Sequence, residues 1–234
     1  MDLLKTHHDC KEIFEELFNT EDGQSIGCDI WRALVGEDEE FDNCIGENFN
    51  QILWTIKDNW FGNDSFANTT LEFYNTNYII WIYLVVARAY EVFEAVNRDN
   101  KNELVKKKRL ALSAFNEINL WAKFIKHPKE FIFCHWPEYC CEGQRFSKSE
   151  DRLLINTGYL KVHYNNESDK RPIALKNNVN VIVQYPQLKR ITRGFVDDFK
   201  TFRDFIVKNE MIIDELKKDT NVPINLNYPN PSDN

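Results

Sequence analysis

Glycine and proline are scarce in this chain of 234 residues, at 8 and 7. Most lie outside the longest apolar periodic segments, a usage that argues against a turn-rich β-sandwich and suits a helical protein. No apolar run approaches a bilayer span. The most apolar one, "YIIWIYLVVA" at 78 to 87, has about half of the ~20 residues a spanning helix needs, so it reads as buried core and no membrane partner is expected. The opening "MDLLKTHHDCKEIFEELF" puts acids and histidines where an export signal needs a basic start and an unbroken apolar core. Positive charge is in deficit: 29 Lys and Arg against 37 Asp and Glu give a net charge of −8. That sets aside a protein that coats duplex DNA and confines any polyanion site to a local basic patch. The patterns G-x-x-x-x-G-K-[ST], G-x-G-x-x-G and G-x-S-x-G are missing, and with them the common phosphate cradles and the hydrolase elbow. Six cysteines with no export signal read as reduced thiols, which places the chain in the cytoplasm.

What is present is apolar and aromatic. Hydrophobic residues make up 43% of the chain, with 17 Phe and 6 Trp, ample for a packed interior. From Leu3 to Phe18 the apolar residues recur at steps of three and four, which predicts a helix with an acidic outer face. "DIWRALVG" reads as a short helix and "GEDEEFDN" as a solvated acidic loop. "ENFNQILWTIKDNWFG" predicts a helix ending at its glycine, and "NDSFANTT" supplies N-cap residues for a long helix over 70 to 97, central and surrounded. A polar turn, "NRDNKNE", leads to one further helix from Leu104 to His127, antiparallel to the last. The row "KKKR" at 106 to 109 lies near that turn and reads as a solvated face. Residues of about 129 to 187 carry short β-rich runs, around Tyr159 to Tyr164 and Val179 to Val183, bounded by Asn, Gly and Pro. A closing helix follows over 188 to 219, then a polar tail over 220 to 234. The expected fold is mainly α: one domain over 1 to 219, a bundle of four or five helices with a small β-containing insertion before the last long helix.

The stretch "NEINLWAKFIKHPKEF" at 116 to 131 carries the candidate chemistry. Counting by 3.6 residues, Asn116, Asn119, Lys123 and Lys126 or His127 share one flank, while Ile118, Trp121, Ala122 and Ile125 face the core. Lysine and histidine also suit a helix C-terminus, and proline is an ordinary stop, so the stretch can be read without any ligand. An asparagine-rich approach to a terminal "KH", on the second of two long antiparallel helices with a closing helix beyond, resembles the HEPN superfamily. The likeness covers about 70 to 127 and 188 to 219. It implies an all-α bundle, often homodimeric, of bacterial defence or toxin–antitoxin systems. In members that cleave RNA it implies a metal-independent reaction driven by an arginine and a histidine with four to six residues between them. His127 stands at the histidine position and Asn119 at the polar one. The arginine positions hold Leu120, Trp121 and Ala122, and a lysine lacks the planar fork that binds two phosphate oxygens at once. The resemblance therefore implies an RNA-, nucleotide- or partner-binding relative, a degenerate form of the endoribonuclease; if it cleaves, His127 is the acid or base and Lys123 or Lys126 steadies the phosphate.

Lys189, Arg190 and Arg193 at the start of the closing helix, with Lys170, Arg171 and Lys176 before them, could join Lys123, Lys126 and Lys129 in one positive surface for RNA, a nucleotide or an acidic partner. Cys134, His135, Cys140 and Cys141 fall within eight residues, but not at the paired spacing of structural zinc sites. They read as ordinary thiols beside a histidine, and no metal or cofactor is expected. His163 reads as a surface residue, and His7 and His8, with Asp9, Glu12 and Glu15 nearby, as an exposed helix face. The second functional reading is a non-enzymatic module whose aromatic surface binds another protein or a copy of itself.

Overall fold

The computed structural model describes residues 2–19, 21, 23–36, 41–97, 102–126, 140–142, 152–155, 181–184 and 186–223. Short polar side chains start several of its helices, because they accept from the unpaired N–H groups of a first turn. The Asp2 carboxylate takes the Lys5 N–H at 3.1 Å and opens α1 (Leu3–Glu15). α2 (Gly27–Val35) is the short helix expected from "DIWRALVG" and ends at Gly36, φ +72°. After β1 (Phe41–Asn43), Asn43 caps α3 (Cys44–Thr55), which passes through a π-helical turn at Ile56–Trp60 before reaching the expected glycine. A 3₁₀ turn, Asp64–Asn68, precedes α4 (Leu71–Ala95), capped by Thr70 as its sequence suggests.

The helix expected to run unbroken from Leu104 is two helices, α5 (Glu103–Ala111) and α6 (Ser113–Lys126), hinged at Leu112 with φ −81° and ψ 78°. The break has a tertiary cause. Oδ2 of Asp198 accepts from the backbone N–H groups of Ala114 and Phe115, at 2.8 and 3.0 Å, and so caps a helix start from 83 residues away. The closing segment is likewise divided into α7 (Leu188–Val207) and α8 (Glu210–Thr220), with Oδ1 of Asn209 accepting from Ile212 N–H at 3.3 Å.

α7, not α4, holds the centre. Phe195, Phe199 and Phe202 are fully buried along it. Phe14 of α1 lies parallel to Phe195, with ring centroids 6.1 Å apart. Phe49 of α3 meets Phe199 and Phe202 edge-on at 5.5 Å, and Phe93 of α4 meets Phe202 at 5.3 Å. α4 is not surrounded: it leaves Phe73 and Leu84 48% and 43% exposed. The chain is thus mainly α, with the small β element falling in the expected insertion. There β2 (Cys140–Glu142), β4 (Val181–Gln184) and β3 (Arg152–Ile155) form an antiparallel sheet in that order, Cys140 and Leu153 both opposite Val183. The expected run from Tyr159 to Tyr164, with His163, lies outside the described residues. The tail starts later than expected, since β5 (Asn221–Pro223) pairs antiparallel with β1.

Candidate nucleic-acid interface

α4 and α6 run antiparallel, and two tyrosines of α4 mark their seam. The Tyr90 hydroxyl donates to Oδ1 of Asn116 at 2.6 Å, and the Asn116 amide reaches the Leu110 carbonyl at 3.4 Å. Burial pushes the Tyr90 hydroxyl up to about 12, so it remains a neutral donor across the physiological range. Two turns earlier, Tyr83 lies under Nζ of Lys126, 4.0 Å from the ring centroid. The Arg109 guanidinium covers the Tyr90 ring at 4.5 Å. Between these two cation–ring contacts, partly exposed Asn119 and Lys123 follow Asn116 along the same flank of α6. Among the described residues no acid pairs with Lys123 or Lys126. The core side of α6 is as the periodicity required, with Ile118, Trp121 and Ala122 fully buried.

The predicted cations of α7 have acid partners. Arg190 grips Glu117 of α6 with both terminal nitrogens, one of the contacts being 2.8 Å. Arg193 meets Glu16, the residue that ends α1, at 2.7 Å, Lys200 meets the same carboxylate at 2.9 Å, and Lys189 meets Asp9 at 3.2 Å. Lys200 and Arg193 hold the Glu16 carboxyl below its usual range. Asp9, Glu12 and Glu16 face Lys189, Arg190 and Arg193 along an open cleft of about 530 Å³. His127 and Lys129 lie outside the described residues, as do Lys170, Arg171, Lys176, Cys134 and His135. Cys140 and Cys141 fall in β2. Cys10 is buried, which pushes its thiol up to about 11 and leaves it unreactive. Among the described residues no group of three or more His, Cys, Asp or Glu side chains is placed to hold a metal ion, and no helix is long and apolar enough to cross a membrane.

Sequence reasoning missed the tyrosines and Arg109. Tyr83 and Tyr90 stand seven residues apart in an otherwise apolar helix, a spacing that puts two polar-tipped rings on one side; that was the available signal. His7 was also misplaced. It is fully buried, its ring 5.4 Å from Phe61, its Nδ1 sharing a 2.8 Å hydrogen bond with the Tyr74 hydroxyl and its Nε2 facing Oδ1 of Asp64 at 3.8 Å. His8 is on the surface as expected, 3.3 Å from the same Asp64 oxygen.

Set against family models, curated proteins and solved structures, the chain matches none.

Proposed function

We propose that the chain binds single-stranded RNA or a nucleotide along the α4–α6 seam. One observation carries the reading: Lys126 over Tyr83, beside Lys123 and Asn119, on a flank where no described acid competes for the cations. Cations beside aromatic rings are the elements by which proteins track a phosphate backbone and stack unpaired bases. In this reading Lys123 and Lys126 neutralise phosphate, Asn119 offers its amide, and Asn116, held by Tyr90, sets the edge of the groove. Arg190 and Arg193 take part only by exchanging Glu117 and Glu16 for a phosphate. The HEPN-like setting of defence or toxin–antitoxin function comes from the resemblance around "NLWAKFIKH", and so does the role of His127 as acid or base, while Lys129 is a further phosphate contact by its place in the basic sequence.

The test is anisotropy of fluorescently labelled single-stranded RNA at low and raised salt, for the wild type and for Lys123→Ala combined with Lys126→Ala. Each lysine should contribute on the order of one released counterion, so the double variant lowers affinity and flattens the salt slope by about 1.4. Absence of RNA and nucleotide binding by the wild type at low salt sinks the reading. The same RNA incubated with and without chelator, alongside His127→Ala, separates cleavage from binding alone.

A second reading, the non-enzymatic interaction module, is favoured by the open face of α4, where Phe73, Ile80, Trp81 and Leu84 recur at helical spacing and are exposed or only partly buried. An exposed apolar stripe of this kind is a common protein-docking surface. If this reading holds, Leu84→Glu abolishes self-association in sedimentation velocity and leaves RNA binding unchanged.

A further inference from the structure

We infer that the outer face of α5 docks on an anionic lipid surface. This nine-residue helix turns Val105 inward, 1% exposed, and presents two of the most exposed large apolar side chains among the described residues, Leu104 at 50% and Leu110 at 75%. At 100° per residue, Lys107 stands between the two leucines with Ala111 beside it, all on the side opposite Val105. Lys106 and Lys108 occupy the flanks, and Arg109 stands on the inner side near Val105. Lys106 pairs with Glu103 at 3.0 Å, Lys108 stretches over the Phe205 ring at 5.6 Å, and Arg109 lies over Tyr90 with Glu94 at 3.8 Å. Among the described residues Lys107 has no acid partner.

The order of these groups selects the occupant. The leucines stand outermost on a convex single-helix edge, and the cations sit level with them or behind, on long aliphatic stems. A lipid headgroup layer offers the matching order in one ligand, a plane of negative charge above an apolar layer. RNA would use the four cations and leave the leucines in water. The rest of the molecule strengthens the orientation: with a net charge of −8 an anionic plane repels most of the surface, so approach is favoured through this row. The contact is peripheral, a helix lying along the interface, and adjoins the α4–α6 seam at Arg109.

Co-sedimentation with vesicles tests it. The wild-type chain should pellet with vesicles of phosphatidylcholine containing phosphatidylserine at low salt, and stay in solution with pure phosphatidylcholine. Leu104→Asp with Leu110→Asp, and separately Lys107→Glu, should each lower the partition coefficient about tenfold or more while circular dichroism is unchanged. Both changes are on exposed side chains, and RNA binding by the leucine variant should equal that of the wild type. Wild type that fails to pellet with the serine-containing vesicles overturns the inference. So does pelleting that the leucine changes do not reduce, or a Lys107-dependent capture of polyglutamate or RNA without vesicle binding, which would mark the face as a protein or nucleic-acid contact.

Discussion

Its enclosed place in α1 favours the neutral form of the His7 imidazole. Burial lowers its pKa below the ordinary 6.5, with Asp64 pulling the other way and the Phe61 backbone assisting Asp64. As pH falls through 6.5 the unfolded chain takes up this proton before the folded one does, so stability is complete above that value. It falls progressively below, until the folded form is protonated too. Urea melts at a series of pH values should show this loss, and His7→Gln should flatten the slope in that window relative to the wild type. An unchanged slope would mean that His7 is solvated in the folded state. The residue was legible in principle: four after Leu3 and three before Cys10, it occupies the buried stripe of α1 that the apolar residues define. A polar side chain on that stripe was passed over because periodicity was counted on apolar residues alone.

The division between α5 and α6 could not be read from its own segment. Leu110, Leu112, Phe115 and Ile118 hold a helical period straight through the hinge, and the group that breaks it arrives from α7. Desolvation raises the pKa of Asp198, against the two backbone N–H groups that favour its charged form. Asp198→Ala should therefore cost about 1–3 kcal/mol in denaturant unfolding, and Asp198→Asn, which keeps an accepting oxygen, clearly less. The junction of α7 and α8 was more visible, since Asn209 is a local capping residue. The pairing of α2 with α3 was not visible at all, because it depends on what two glycines approach. A Cβ built on Gly46 would stand 2.3 Å from Cα of Trp31, and one on Gly27 2.8 Å from the Asn50 backbone nitrogen. Gly46→Ala should destabilise the fold by about 3 kcal/mol or more. Gly23→Ala, at φ +68° with nothing within 4 Å, should cost only about 1 kcal/mol. Equal losses for the two would show that α2 and α3 separate easily.

At the scale of the molecule the helical class and the position of the β-containing insertion followed from periodicity and composition, since both are averages over many residues. The candidate site was half legible for the opposite reason. The flank of α6 is a property of one helix, so Asn116, Asn119, Lys123 and Lys126 were found together. Tyr83, Tyr90 and Arg109 join them only through packing of α4, α5 and α6, and Arg190 and Arg193 acquire Glu117 and Glu16 by the same packing. Charge on this surface is therefore decided by pairs that no local pattern records. The central place of α7 bears on how the chain is made. Phe195, Phe199 and Phe202 are the partners of Phe14, Phe49, Phe93 and Phe115, yet they follow all four in the chain, the last of them by a long stretch that includes the β-containing insertion. Until α7 is made, a growing chain carries those rings without the helix that covers them, and aromatic surface stays open to other contacts for that interval.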